Sequence, residues 1–317
     1  MTRTLQVASI QMRGDRAPLE QKLSRSRTSI REAAGQGAKL AVLPELALSG
    51  YELGDWNFAV AQRVPDGPAV AALVELARFH DLVVVAGLSE REGDHVYNTM
   101  AVVGPDGFLG KYRKIHVASA ECAYWRPGAP GQAAVETDLG RIGVGICADM
   151  TQPTPWADYA KQGVDLVAIG ASWPDYRDAT NYPLWREYRE SHVEGLRHMP
   201  ERIERLVGAP VIMANACGDT EVMVTRFGPT VRSRMGGRSR IVCGGTRIDD
   251  GADNQEHVLV AAVEIKPRIL EHREEHPAPW VQHGSPAFKT TFQWVDRVTG
   301  AFYRPLYFTS RSRSKTD

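Results

Sequence analysis

No two cysteines in this chain stand close enough in sequence to chelate a metal or seed a disulfide framework. Cys122, Cys147, Cys217 and Cys243 are the only four, and none forms a Cys-x-x-Cys pair. That usage fits neither a zinc knuckle nor a disulfide-stapled scaffold and predicts a reduced protein. Net charge is missing too: Lys+Arg and Asp+Glu each number 38. No global field therefore recruits nucleic acid or an anionic membrane. Weak self-repulsion at zero net charge fits a homodimer or larger homo-oligomer. No apolar run reaches the roughly 18 residues that a membrane-spanning helix needs. The first residues, Met1–Gln11, carry no long apolar stretch with a cleavage site, so no signal peptide is expected. Repeats, linkers and low-complexity segments are absent as well. These absences predict a soluble, cytoplasmic protein.

What is present is ordinary for a globular chain: 317 residues, 43% hydrophobic and 24% charged, enough for one large domain or two smaller ones with a sizeable core. Leu5–Met12 alternates like a strand, and Pro18–Ala34 has helical spacing with Gly35 as its stop. Lys39–Leu43 reads as a short strand, Pro68–His80 as a helix, and Leu82–Ala86 as a strand covered on both faces. The rhythm then changes to hairpins, Tyr97–Tyr112 around Pro105-Asp-Gly107 and Ala133–Cys147 around Asp138-Leu-Gly140. A helix near Trp156–Gln162, a strand Val164–Ala168 and a helical stretch Leu184–Val207 follow, with Pro200 expected to start a new helix. Strands near Val211–Ala214, Arg238–Val242 and His257–Val263 come next, and the polar tail Ser310–Asp317 is expected to fray. Helix-alternating strands together with hairpins predict a mixed α/β layered fold.

One strand organises the rest. In Arg141–Asp149, Ile142, Val144 and Ile146 alternate with Gly143, Gly145 and Cys147. One face carries branched apolar side chains and the other is bare until the sulfur, which invites a close approach, for instance by a substrate. The thiol stands where the strand runs out, a place where loops build sites. A buried, inert thiol is the competing reading.

Two more chemistry-bearing residues stand directly after strand-like runs, Glu45 after Ala41–Pro44 and Lys114 after Phe108–Tyr112. A carboxylate, an ammonium and a thiol suffice for acyl transfer: the thiolate attacks, the carboxylate moves the proton, and the lysine with the backbone N–H of Ala148 stabilises the oxyanion. A neighbouring cation is also expected to lower the thiol pKa. Taken alone, each has a bland alternative: Glu45 a solvated loop residue, Lys114 part of a solvated basic cluster, Cys147 a packing residue.

At these residues the chain resembles the carbon–nitrogen hydrolases of the nitrilase superfamily. Leu43–Tyr51 is similar to that family's glutamate motif, Gly110–His116 to its lysine motif and Gly143–Asp149 to its cysteine motif. Tyr97-Asn98, Pro105–Gly107, Glu121 with Pro127-Gly128, Ala171–Pro174, Asn215 with Gly218, and Gly237–Ile241 also match, so the resemblance covers roughly residues 5–265. It implies an α-β-β-α sandwich of two mixed sheets covered by helices, in a single domain over 1–317 with a C-terminal extension at roughly 266–317. It implies Glu45 as general base, Lys114 as oxyanion stabiliser and Cys147 as nucleophile, with no metal or organic cofactor. Glu121 matches a second glutamate that holds Lys114 and positions substrate; a plain salt bridge to Lys114 is the alternative. Association through helices next to the cysteine loop is the implied assembly.

Substrate-binding candidates, from their closeness to the motifs, are Tyr51, Tyr124, Ala148 and Trp173, with Trp125 also considered; each aromatic could equally be core. The chain reads Cys147-Ala-Asp149 where nitrile-acting members typically read Cys-Trp-Glu, which favours a small linear amide or N-carbamoyl compound. An arginine-rich stretch suited to a carbamoyl amino acid is missing after the cysteine, and Leu-Val replaces the family's Glu-Asn pair at 206–207. The segment 176–199 is longer than usual; an amphipathic helix is favoured over a substrate lid or subunit interface. A thiol amidohydrolase that releases ammonia is the expectation. A nitrilase, a non-catalytic metabolite- or partner-binding member, and an N-acyltransferase are the alternatives.

Overall fold

The computed structural model describes residues 2–117, 121–122, 124–175, 183–223, 230–249 and 254–266. The first half comprises β1 (Arg3–Gln11), α1 (Leu19–Gly35), β2 (Leu40–Val42), α2 (Trp56–Val60), α3 (Pro68–His80), β3 (Val83–Glu92), β4 (His95–Gly104) and β5 (Gly107–Arg113). The second comprises β6 (Val135–Thr137), β7 (Gly140–Ile146), a 3-10 turn over Cys147–Thr151, α4 (Thr154–Gln162), β8 (Leu166–Ala171), β9 (Pro174–Asp175) and α5 (Pro183–Val207). After α5 come β10 (Val211–Asn215), β11 (Asp219–Met223), β12 (Thr230–Met235), β13 (Arg240–Cys243), β14 (Thr246–Ile248) and β15 (His257–Ile265).

Two six-stranded mixed sheets result, ordered β15-β1-β2-β3-β4-β5 and β14-β13-β10-β8-β7-β6. The period-two pattern builds the layers. Leu5, Val7, Leu40, Val42, Val83 and Val85 point from the first sheet into a core shared with Ile142, Val144 and Ile146 of the second. Their neighbours Ala8, Ile10, Ala41 and Val84 point the other way, onto Leu23 and Ile30 of α1 and Val70, Leu73 and Ala77 of α3. The helices α4 and α5 cover the outer face of the second sheet with Trp156, Tyr159, Leu196, Met199, Ile203 and Leu206. The expected α-β-β-α sandwich is therefore the observed architecture. A small three-stranded sheet, β11-β12-β9, was not foreseen. In it β12 pairs antiparallel with both β11 and β9, and β9 is only two residues long. Among the described residues no helix is long and apolar enough to cross a membrane.

Three local expectations change. Pro200 lies inside one helix, Pro183–Val207, and does not begin a second. An interior proline costs about 3 kcal/mol. Burying Leu196, Met199, Ile203 and Leu206 returns about 1.5–3 kcal/mol for each side chain, so packing outweighs the broken turn. The strand β3 continues past Ala86 to Glu92 because its polar end pairs with β4, Arg91 against Val96 and Glu92 against His95. The strand β8 starts at Leu166, two residues late, because Asp165 turns the chain: its amide donates to Arg141 O at 2.8 Å and its carboxylate accepts from Arg141 N at 2.8 Å. In the long segment 176–199, residues 176–182 and the side chains of Trp185, Tyr188 and His192 lie outside the described residues, as does the tail from 267. Leu196 and Met199 of that segment are core.

The bare face of β7 is filled by α4 and not by a substrate. A Cβ on Gly145 would stand 2.2 Å from Cη2 of Trp156, and one on Gly143 would stand 2.9 Å from the Tyr159 ring. Both aromatics are then locked: Trp156 Nε1 donates to Asp149 O at 3.0 Å and the Tyr159 hydroxyl to Val144 O at 2.8 Å. Gly145→Ala is accordingly expected to destabilise the protein by about 3 kcal/mol, at the upper end of overpacking costs. Urea unfolding measures this; a midpoint equal to that of the wild type would show that Trp156 is free to retreat.

Candidate active site

Four strands end at one place between the sheets. Glu45 follows β2, Lys114 follows β5, Cys147 follows β7 and Ser172 follows β8. Glycines in both sheets let the Glu45 backbone pass between them. A Cβ on Gly87 of β3 would lie 2.3 Å from Leu46 N, and one on Gly170 of β8 would lie 2.8 Å from Glu45 N. The chain then reverses through Leu46 in a left-handed conformation, φ 52°. Cys147 has the same handedness, φ 45°, where the strand breaks into the 3-10 turn. A non-glycine residue there is uncommon and marks a site where the surrounding structure dictates the backbone.

Glu45 and Lys114 are each 1% exposed and Cys147 6%. Lys114 Nζ lies 2.7 Å from Glu45 Oε1, 2.9 Å from Glu121 Oε1 and 2.8 Å from Glu121 Oε2. An ammonium has three hydrogens, so this geometry gives each one a carboxylate oxygen. Glu45 also accepts from Asn98 Nδ2 at 2.6 Å and from the Ser172 amide at 2.7 Å. The Ser172 hydroxyl donates to Glu45 O at 3.0 Å. Cys147 is buried where Glu45, Lys114 and Glu121 act on its thiol by their charges. The thiol, the base and the ammonium thus share one buried, electrostatically linked site.

Electrostatics set the resting proton positions. Burial pushes the Cys147 thiol well above its ordinary value, Glu45 and Glu121 push it further, and Lys114 only partly opposes them. The expected depression of the thiol pKa is therefore overturned: two buried carboxylates and desolvation outweigh one cation. Burial likewise raises Glu45, against the pull of Lys114. Burial works against the Lys114 ammonium, but Glu121 and Glu45 overcome it and hold its pKa well above the ordinary lysine value.

The structure brings Glu45, Lys114, Cys147 and Glu121 together. Glu121 makes the anticipated ion pair with Lys114. Tyr51 is half-buried and its hydroxyl donates to Glu121 Oε1 at 2.8 Å. Tyr124 packs in a separate apolar cluster with Leu53, Phe58 and Trp125. Trp173 is buried, its amide donating to Asn215 Oδ1 at 2.8 Å, while Ala148 is half-buried on the turn. Sequence reasoning gave no role to Asn98 and Ser172, although both fall in quoted motif pieces. Their bonds to Glu45 span 53 and 127 positions, so no local pattern signals them. Among the described residues no group of His, Cys, Asp or Glu is arranged to hold a metal ion.

Comparison with known proteins agrees with this architecture. The carbon-nitrogen hydrolase family model matches residues 6–265. A nitrilase of Pyrococcus abyssi is 38% identical over 170 residues, 53% of this chain and 65% of that protein. An omega-amidase of Danio rerio is 36% identical over 159 residues, 46% of this chain and 55% of that protein. The chain thus matches little more than half to two thirds of these relatives' lengths. A variant of the amidase from Nesterenkonia sp. AN1, solved after Michael addition of acrylamide at its active-site cysteine, superposes with a TM-score of 0.63 at 19% identity. That alignment covers 92% of this chain and 99% of the amidase, and at such identity it speaks for the fold alone. By the extent of the family match and the agreement in fold, the chain belongs to the carbon-nitrogen hydrolase family.

Proposed function

We propose that this protein is a thiol amidohydrolase that releases ammonia from a small linear amide or N-carbamoyl compound through a thioester on Cys147. The observation that carries the reading is the buried Glu45–Lys114–Glu121 array, whose charges act on the buried Cys147 thiol. Glu45 takes the thiol proton as sulfur attacks the carbonyl carbon. The developing oxyanion is held by the Ala148 amide and by Lys114, which must lend it a hydrogen now shared with Glu121. Glu45 returns the proton to the leaving nitrogen, and ammonia departs as the C–N bond breaks. Glu45 then deprotonates water, which opens the thioester to the acid and restores the thiol.

A raised thiol pKa suits this order of events. The resting sulfur keeps its proton, and the thiolate forms only with substrate in place, which limits side reactions of a buried nucleophile. Tyr51 is read here as steadying Glu121 at the rim of the site. The relatives named above include one called an omega-amidase and one called a nitrilase, so amide and nitrile are the two substrates to separate.

Ammonia release from matched pairs of amide and nitrile of the same acid, with N-carbamoyl compounds alongside, tests the reading. The expected result is faster turnover of the amide or carbamoyl compound. Faster turnover of the nitrile would make the protein a nitrilase. Ligand-induced thermal shift without any ammonia would make it a binding protein, and capture of an added amine in the product would make it an acyltransferase.

A further inference from the structure

The lysine and the nucleophile are delivered by different sheets. Lys114 follows β5, an edge strand of the first sheet, and Cys147 follows β7 of the second. No backbone ladder joins these two strands, so sheet hydrogen bonding does not set the distance between the two groups. The residue that ties them is Asp149, fully buried in the turn after the nucleophile.

Each carboxylate oxygen of Asp149 has two hydrogen-bond partners. Oδ2 accepts from the Ile146 amide at 3.0 Å and from the Tyr112 hydroxyl at 2.9 Å. Oδ1 accepts from the His116 amide at 2.8 Å and lies 2.9 Å from His116 Nδ1. The ring contact lies on the same oxygen as the His116 amide, so backbone and side chain of His116 both meet Oδ1. Tyr112 and His116 stand two residues before and two after Lys114, and Ile146 stands directly before Cys147. One side chain therefore grips the lysine segment on both sides and the nucleophile strand at its last residue. The main chain of Asp149 is itself anchored, its carbonyl accepting from Trp156 Nε1 at 3.0 Å.

We propose that Asp149 is a positioning residue that sets the separation of Lys114 and Cys147 across the two sheets. The proposal rests on the reading of Cys147 as nucleophile and Lys114 as oxyanion donor. It gives Cys147-Ala-Asp149 a different meaning from a marker of substrate type: its carboxylate faces the protein. It also gives His116 a structural part, as one of the partners of that carboxylate. Asparagine cannot substitute. It has one acceptor oxygen, so its NH2 group would face the Ile146 or the His116 backbone N–H, and one catalytic segment would be pushed off.

Two small neutral reagents separate positioning from general stability, without need of the true substrate. Addition of the Cys147 sulfur to acrylamide forms an S–C bond, develops negative charge on the amide oxygen, and ends with the thiol proton on carbon; it draws on the oxyanion donors. Alkylation by iodoacetamide forms an S–C bond, expels iodide and loses the thiol proton; it develops no charge on that oxygen. Both adducts are followed by intact mass and peptide mapping in the wild type, in Asp149→Asn and in Tyr112→Phe, with Cys147→Ala as background.

Asp149→Asn is expected to slow capture by acrylamide about 100-fold, the scale of a misplaced catalytic group, while capture by iodoacetamide stays within about threefold. Tyr112→Phe removes one donor and orphans no backbone group, and is expected to lower the ratio of the two rates about tenfold; it carries the test where Asp149→Asn does not fold. Equal slowing of both reactions, or an unchanged ratio in Tyr112→Phe, would overturn the proposal. Wild-type capture without hydrolysis of any amide would sink the proposed function and leave this inference standing. No capture of acrylamide by wild-type Cys147 above background would sink both.

Discussion

Cys147→Ala is expected to abolish ammonia release, by a factor on the order of 10⁴ to 10⁶ where the wild type turns a substrate over. The loss is large because the acyl intermediate is assigned to this sulfur; Cys217, buried near Glu256 and Arg13, has its thiol pushed up to about 12 by burial. The fold should survive. Alanine keeps the Cβ at a position whose backbone is already left-handed, φ 45°, so the substitution adds no strain that cysteine did not carry. Thermal denaturation of the variant should therefore stay close to that of the wild type while turnover disappears. Intact-mass trapping should place the acyl group on Cys147 in the wild type. An adduct on Cys122, Cys217 or Cys243, or residual turnover in the variant, would remove Cys147 from the mechanism.

Lys114→Met is expected to cost both activity and stability. Its ammonium bonds both Glu45 and Glu121, and methionine leaves two buried carboxylates without it. Breaking a buried ion pair from one side typically costs about 3–5 kcal/mol. The pH dependence distinguishes this from a packing defect. The folded-state pKa of Glu45 is raised by burial, with Lys114 holding it down. A group raised in this way contributes stability below its ordinary value of 4.5 and loses that contribution as pH rises through its folded value. Removing the ammonium raises the folded value further. The stability deficit of Lys114→Met should thus be smallest near the acid end and grow toward neutral pH. Urea unfolding at several pH values measures it, and a deficit independent of pH would show that the lysine's charge does not hold the carboxylates.

Part of this was legible in the sequence because it is carried by short-range pattern. The alternation of Leu5, Val7 and Ala8, Ile10 assigns β1 to two apolar layers, and the stripe Val70, Leu73, Ala77 assigns α3 to one of them. The strand-end placement of Glu45, Lys114 and Cys147 is likewise written in the local order of residues, as is the Pro105-Asp-Gly107 hairpin between β4 and β5. Pro200 and the bare glycines of β7 were misread for one reason. A local rule describes what a residue permits, while the burial of α5 and the seat of Trp156 against Gly145 depend on what the rest of the chain brings up to it.

The amino-acid sequence by itself determined the layered α/β architecture and the set of groups available for chemistry, because periodicity and residue type are local properties. Tertiary structure alone decided the state and register of those groups. The Cys147 thiol is raised and not lowered, because burial and two carboxylates from separate segments of the chain act on it together. Glu45 is held by Asn98 and Ser172 from different sheets, and Asp149 turns inward to Tyr112, His116 and Ile146. Electrostatic and hydrogen-bond energies depend on distances of a few ångströms between residues far apart in the chain, and packing the two sheets together is what sets those distances.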